Sequence, residues 1–309
     1  MDPAPAAPPP RPWVAGLLAL LFPGAGHAHA GRPRAGVLVV GLQLAAVLAL
    51  VWGIRAGPVE AAAGLAFAIV FTAGQVLSAA RSARSAGPPA GSRSRRVAIL
   101  VAFLAASVTV GQLAKWLREH VASTAYVPSG SMIPGLQVGD VFAVRHGVAP
   151  RRGSVVMHAA PAGAVHGADL VKRVVGVAGD TVEVRGGGLV LNGEPVPRER
   201  STGSCTYWTK LVDGPWREER CIDFVEMLGE RRYHTYCSPD VPCDPPGSSP
   251  AQRVPPGHVF VVGDHRDHSA DSRVYGPVPL EDLRGEAVYV LLSFGPHGVR
   301  WERIGRPVD

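Results

Sequence analysis

Ser131 and Lys172 have the residue types and settings of a nucleophile and its base. Ser131 lies in the turn Pro128-Ser129-Gly130-Ser131-Met132-Ile133-Pro134, and Lys172 in the apolar run Leu170-Val171-Lys172-Arg173-Val174-Val175. Only three of the 31 basic side chains are lysines, so a lysine in a run that reads as a largely buried strand is unusual for this chain. Arginine stays protonated wherever it is placed, whereas a desolvated lysine gives up its proton near neutral pH. Burial beside Leu170 and Val174, on the same strand face, would lower the Lys172 pKa and make it a general base for Ser131. Gly130 permits a tight backbone path before the serine, and the two prolines stiffen both sides. Ser129 can join the backbone N–H of Ser131 as a second donor to a developing oxyanion. Each residue alone has a plainer explanation, a surface hydroxyl in a turn or a lysine snorkelling from a strand end.

A third element is the run Gly263-Asp264-His265-Arg266-Asp267-His268-Ser269-Ala270-Asp271-Ser272-Arg273, followed by Tyr275-Gly276. Its acids, bases and hydroxyls would be costly to bury unless mutually paired, although composition alone equally allows a solvated turn. Arg173 points to the strand face opposite Lys172, which suits a structural ion pair.

The elements that must position these residues divide the chain in two. The first 116 residues hold almost no acid, only Asp2 and Glu60. After a Pro/Ala-rich start, residues 13–22 are apolar but too short to span a bilayer and read as a re-entrant or interfacial segment. Three longer apolar segments, at about 35–54, 58–80 and 97–116, read as transmembrane helices. Arg11, a short apolar run and Ala28-His29-Ala30 imitate a cleavable signal peptide. Cleavage there would put the loop carrying Arg81, Arg84, Arg93, Arg95 and Arg96 outside, against the positive-inside rule, so an uncleaved segment is expected. The spans then run in-to-out, out-to-in and in-to-out, leaving residues 117–309 outside.

From Val127 onward the pattern changes to short β-branched runs broken by Gly, Pro and Asp. Strands are expected at 138–145, 154–158, 169–177, 181–185, 189–191, 258–262 and 287–293, with Asn192-Gly193 as a hairpin turn. The fold class is therefore N-terminal transmembrane α-helices followed by a mostly antiparallel all-β domain. Residues 198–253, rich in acids, arginines and prolines, read as a small inserted β-rich subdomain. This stretch holds all four cysteines, Cys205, Cys221, Cys237 and Cys243. An even, clustered set outside the cytoplasm suggests disulfides, and short loops favour Cys205–Cys221 with Cys237–Cys243. Zinc is the rival, but no spacing is C-x2-C, so no metal site is expected. The net charge of +6 comes with no basic stripe in the C-terminal part, which argues against nucleic acid.

The three chemical elements, in this order and directly after a membrane span, resemble bacterial type I signal peptidases, the Ser/Lys leader peptidases. The similarity lies in Tyr126–Asp140 (Ser-x-Ser-Met-x-Pro), Asp169–Val184 (Lys-Arg-Val-x-Gly-x-x-Gly-Asp) and Gly257–Pro279 (Gly-Asp-x-Arg-Asp-x-Ser-x-Asp-Ser-Arg). The resemblance implies Ser131 as nucleophile, Lys172 as general base, Ser129 as oxyanion-hole donor and Ser269 as the group orienting the lysine by a hydrogen bond. It implies structural pairs of Asp264 with Arg173 and of Asp271 with Arg273, and no cofactor. Its implied substrates are signal peptides of exported preproteins, bound as an extended strand and cut after small residues at Ala-x-Ala sites. The implied place is the bacterial cytoplasmic (inner) membrane, multi-pass, with the catalytic domain on the periplasmic or extracytoplasmic face, in contact with lipid and beside the secretion translocon. Gly135 stands where the family usually has threonine, His265 and His268 replace asparagines, and the spans exceed the usual one or two. Lys172 sets the chain apart from the endoplasmic-reticulum and archaeal enzymes, which carry histidine there. A specialised processing peptidase of one secretion or pilus system is the alternative. An inactive membrane adaptor fits poorly with retention of Ser131, Lys172, Ser129 and Ser269.

Overall fold

The computed structural model describes residues 11–86, 93–161, 169–210, 214–240, 243 and 249–308. The first ten residues of the Pro/Ala-rich start and residues 87–92, in the middle of the arginine-rich loop, lie outside that set. The chain divides into two compact units at Val121/Ala122.

The first unit is helical: α1 (Pro12–Leu21), α2 (Ala25–His29), α3 (Pro33–Ala56), α4 (Pro58–Arg84) and α5 (Arg93–His120). Proline begins α1, α3 and α4, where its missing N–H costs nothing and its fixed φ favours the helix. Gly24, at φ +82°, turns the chain between α1 and α2, and a Cβ there would sit 2.4 Å from the Gly36 carbonyl of α3. Only glycine accommodates both the conformation and the contact. Three segments, Pro33–Ala56, Ala66–Arg84 and Val97–Leu117, are long and apolar enough to cross a membrane, whereas α1 is a shorter apolar helix. Val37, Leu38, Leu77, Val101 and Val108 are exposed on these helices. Large apolar side chains facing outward are what lipid, not water, would solvate.

The second unit is built almost wholly of strands: β1 (Ala122–Tyr126), β2 (Asp140–Arg145), β3 (Val155–Ala159), β4 (Asp169–Val177), β5 (Thr181–Arg185), β6 (Gly188–Leu191), β7 (Glu194–Pro195), β8 (Arg198–Arg200), β9 (Cys205–Thr209), β10 (Arg217–Leu228), β11 (Arg231–Cys237), β12 (Ser249–Arg253), β13 (His258–Val262), β14 (Val278–Pro279), β15 (Leu283–Gly295) and β16 (Gly298–Val299). One four-residue helix, α6 (Ser272–Tyr275), follows β13. The main sheet runs β1-β2-β15-β3-β4-β13-β14, with β16 paired to β15. A second sheet runs β12-β5-β6-β7, and a third holds β8 to β11. The named strand pairs are all antiparallel.

Two registers place the lysine strand. Strand β3 pairs with the whole first part of β4, setting Val156 opposite Lys172 and Val155 opposite Arg173. On the other side, β13 joins β4 only from Arg173 onward. The outer edge of Asp169–Lys172 therefore has no strand partner among the described residues. Residues 172–176 are all buried, because both faces of β4 are covered: Val174 packs with Val156 and Val261, while Val175 packs with Val182 and Phe260.

The sheet of β8 to β11 occupies residues 198–237, and β12 returns the chain to β5. Cys205 and Cys221 face each other across β9 and β10 and form a disulfide, with Cα atoms 5.0 Å apart. Cys237 and Cys243 form the other, at 5.4 Å. No cysteine is free for zinc. Glu226 of β10 is fully buried and receives Arg266 Nη1 at 2.7 Å and the Tyr233 hydroxyl at 2.9 Å, joining this sheet to the segment after β13.

Arg173 is the second such tie. Its guanidinium donates to Asp264 Oδ1 and Oδ2, both at 2.7 Å, and to the Gly153 carbonyl at 2.8 Å. It also stacks on the Tyr233 ring at 3.9 Å from the centroid. Removing one member of a pair this deeply buried leaves a charge with no water to receive it. Arg173→Met should destabilise the protein by about 3–5 kcal/mol. The double variant Arg173→Met/Asp264→Leu should recover most of that loss. Thermal unfolding of both in detergent checks the pair, and a single variant as stable as wild type would refute it.

Candidate active site

The serine turn is held from within and from across the sheet. Met132 and Ile133 are buried, so the turn is anchored by the apolar side chains that come after Ser131. Ile133 N–H donates to the Gly130 carbonyl at 3.2 Å, and Leu136 N–H to the Met132 carbonyl at 2.9 Å. The Ile133–Pro134 peptide is cis. The Ser131 carbonyl accepts from the His265 N–H at 3.1 Å, fixing the turn to the segment after β13. Ser131 N–H has no partner among the described residues, and Ser129 is exposed with its hydroxyl unengaged.

Lys172 reaches this turn from β4. Its Nζ lies 2.8 Å from Ser131 Oγ and donates to the Val171 carbonyl at 3.0 Å. The residue is 3% exposed and forms no ion pair among the described residues. Burial is the main cause that lowers its pKa, to about 8. Asp271 and Asp264 pull the other way, and Arg273 adds to the lowering.

Both opposing carboxylates are already engaged. Asp264 is held by the fork of Arg173. Asp271 accepts from Arg273 Nε and Nη2, both at 2.7 Å, from the Gly263 N–H at 2.8 Å and from the Ser269 hydroxyl at 2.7 Å. Burial would raise the Asp271 pKa, but Arg273 and these hydrogen bonds hold it below its usual value. Asp271 also caps α6, accepting from the Arg273 N–H.

The expected hydrogen bond from Ser269 to the lysine is absent; the Ser269 hydroxyl donates to Asp271 instead. Its link to Ser131 runs through the backbone at Gly263. A Cβ on Gly263 would lie 2.2 Å from Ser269 Oγ and 2.6 Å from the Ser131 carbonyl, so glycine lets the two segments meet. Gly135 has a similar place: a Cβ there would approach Asp264 Oδ2 to 2.8 Å. Glycine at this position thus leaves room beside the Arg173–Asp264 pair.

A groove of about 590 Å³ opens onto the pair. Ser129, Ser131 and Lys172 line it together with Tyr126 of β1, Met157 of β3 and Leu170 of β4. The β1 wall is not among the strands expected from sequence, since Ala-Ser-Thr-Ala-Tyr carries little apolar alternation. Its one signal is position, directly before the serine box. Chemically, the groove presents a hydroxyl, a desolvated amine and an unpaired backbone N–H to whatever enters between β1 and the unpaired edge of β4.

Comparison with known proteins points the same way. The family described as signal peptidase, peptidase S26, matches residues 98–292. A probable signal peptidase I-1 of Synechocystis sp. is 31% identical over 202 residues, covering 62% of this chain and 81% of its own length. The signal peptidase I of Aquifex aeolicus is 29% identical over 209 residues, covering 58% of this chain and 78% of its own. A solved signal peptidase I from Enterococcus faecalis aligns with 45% of this chain and 97% of its own at 21% identity, with a TM-score of 0.27. A family match over more than half of the sequence, in a range that takes in the serine turn and the lysine strand, makes this chain a member of the signal peptidase family, peptidase S26, a membrane-bound serine peptidase.

Proposed function

We propose that Ser131 is the nucleophile and Lys172 the general base of a signal peptidase I that removes N-terminal signal peptides after small residues. The observation that carries the reading is the 2.8 Å contact between Lys172 Nζ and Ser131 Oγ, with the lysine buried and without a carboxylate partner. A neutral Nζ takes the hydroxyl proton as Oγ attacks the scissile carbonyl carbon. The oxyanion that forms faces the Ser131 N–H and the Ser129 hydroxyl. The ammonium then gives its proton to the leaving amine as the C–N bond breaks, leaving an ester on Ser131. Lys172, neutral again, deprotonates a water that hydrolyses this ester and frees the serine.

Binding rests on two open strand edges. An extended peptide entering the groove meets the main chain of β1 on one side and of Asp169–Lys172 on the other, a strand-addition mode of recognition. Met132, Leu136 and Met157 narrow the space between, which favours small side chains next to the cut. Arg173 with Asp264 and Arg273 with Asp271 act as structural supports, and Ser269 as a positioning residue through Asp271. The arginine-rich loop between α4 and α5 sets the orientation: it lies in the cytoplasm, and the β unit lies on the extracytoplasmic face of the bacterial cytoplasmic membrane.

Ser131→Ala and Lys172→Ala should each abolish cleavage of a preprotein bearing an Ala-x-Ala site, incubated with the purified chain in detergent. Persistent cleavage by either variant would sink the assignment.

The pH dependence has a definite sign. The base works only when neutral, so kcat/KM should rise with pH, with its half-point near 8, where the buried lysine loses its proton. A rise centred near pH 6 would point to an imidazole base instead. Gly263→Ala tests the packing behind the dyad. Its methyl group must displace Ser269 or the Ser131 carbonyl, and a lost alignment of this kind costs about 100-fold in rate. An unchanged kcat in that variant would show that the contact does not position the serine.

A further inference from the structure

We propose that His265, Asp267 and His268 form a binding site for a divalent transition-metal ion of the zinc class, beside the serine turn and distinct from the dyad. One ligand atom from each of the three side chains lies within 4.8 Å of the others. His265 Nε2 is 3.3 Å from Asp267 Oδ1, and the two imidazole rings stack with centroids 4.4 Å apart.

The first ground is unmet hydrogen bonding. His265 is fully buried, yet neither of its ring nitrogens meets hydrogen-bond geometry. Its contact toward the Gly130 carbonyl falls short of that geometry. The Asp267 side chain is 2% exposed, and its Oδ1, 3.3 Å from His265 Nε2, likewise makes no hydrogen bond. Three unmet polar atoms in one buried corner are uncommon, since buried polar groups are nearly always satisfied. A single cation offers coordination to both side chains at once.

The second ground is the support of the ligands. Asp267 is oriented by its other oxygen, Oδ2, which accepts from the Ser238 N–H at 2.6 Å. His265 is oriented by its backbone N–H on Ser131 and by the edge of the Tyr207 ring, 5.1 Å between centroids. Outer contacts of this kind orient metal ligands. His268 is exposed, so it is free to swing the short distance that brings its nitrogen to a bond length of about 2.0–2.1 Å. Two imidazoles and one carboxylate leave a fourth position for water, a donor set that suits zinc better than magnesium or calcium. The ion would fasten the segment that carries His265 to the strand end at Ser238, and through the His265 N–H to the serine turn.

The test uses the tag-free full chain in detergent, stripped with EDTA and desalted, so that only this sequence offers ligands. Zinc is titrated calorimetrically, and cobalt(II) is followed by its visible absorption, which reports low coordination number. Wild type should take up one ion per chain and unfold at a higher temperature with zinc present. His268→Ala and Asp267→Asn should each weaken binding by about tenfold or more and lose the thermal shift. Asparagine still accepts from Ser238, and position 268 is exposed, so both variants keep the fold, as equal unfolding temperatures without metal would verify. Absence of stoichiometric uptake by wild type, or either variant binding as tightly as wild type, overturns the site.

Discussion

A lysine that is almost wholly buried, with a hydroxyl and a carbonyl rather than a carboxylate for partners, is the constraint on which the site depends. Two carboxylates stand close enough to raise its pKa. A free carboxylate at about 4 Å would favour the ammonium by about 4 kcal/mol at an effective dielectric of about 20. That is about three pKa units, enough to erase the lowering that burial provides. Asp264 and Asp271 therefore have to be committed elsewhere, and each is held by both ends of an arginine fork. The arginines do more than cement loops; they keep both carboxylates from pairing directly with Lys172.

The buried arginines have a place that lysine would fill poorly. Arginine cannot lose its proton and presents a planar, bidentate face, so it serves wherever a buried charge must stay fixed. Arg173 and Arg266 are both fully or nearly fully buried, and each closes a link between separate parts of the β unit. Arg303 does so at the C-terminal end, where its guanidinium holds Asp140 of β2 at 2.6 Å. Lys172, in contrast, is buried with no ion pair among the described residues. Burying these pairs gives little net stability over apolar packing, and their contribution is to place β4, the serine turn and the segment after β13 in one arrangement.

Much of this was legible in the sequence because the signals were local. Apolar length marks α3 to α5, β-branched runs mark β2 to β6 and β13, and Asn192-Gly193 supplies a positive φ at both positions of its turn. The close approach of Ser131 and Lys172 was implied by three motifs in order. What escaped had its cause in tertiary pairing. Strand β10, with Arg-Glu-Glu-Arg at its start, lacks apolar alternation, and it is a strand because β8, β9 and β11 pair with it. The same holds for β1, an Ala/Ser/Thr segment held by β2. Ser269 sits beside the serine turn, but whether its hydroxyl turns to Lys172 or Asp271 is decided by competition within a few ångströms, which no spacing encodes. The unmet nitrogens of His265 are of the same kind: no spacing tells that this imidazole is buried with neither ring nitrogen in a hydrogen bond.

The site is held at a cost to the fold. With the folded pKa of Lys172 near 8 and the unfolded value near 10.4, the ammonium is disfavoured in the native state by about 3 kcal/mol. Below pH 8 both states hold the proton and the whole cost is present. Between pH 8 and about 10.4 the unfolded chain retains a proton that the folded chain has released, so stability rises with pH through that window. Native structure and the neutral Lys172 amine are thus favoured by the same change, and the opposing pull at neutral pH must be met by the rest of the β unit. Three sheets packed through apolar clusters and two disulfides supply that support. The stagger of β13 against β4 pairs the strand that bears Lys172 with β3 along Asp169–Arg173 and leaves the other edge of Asp169–Lys172 without a strand partner among the described residues.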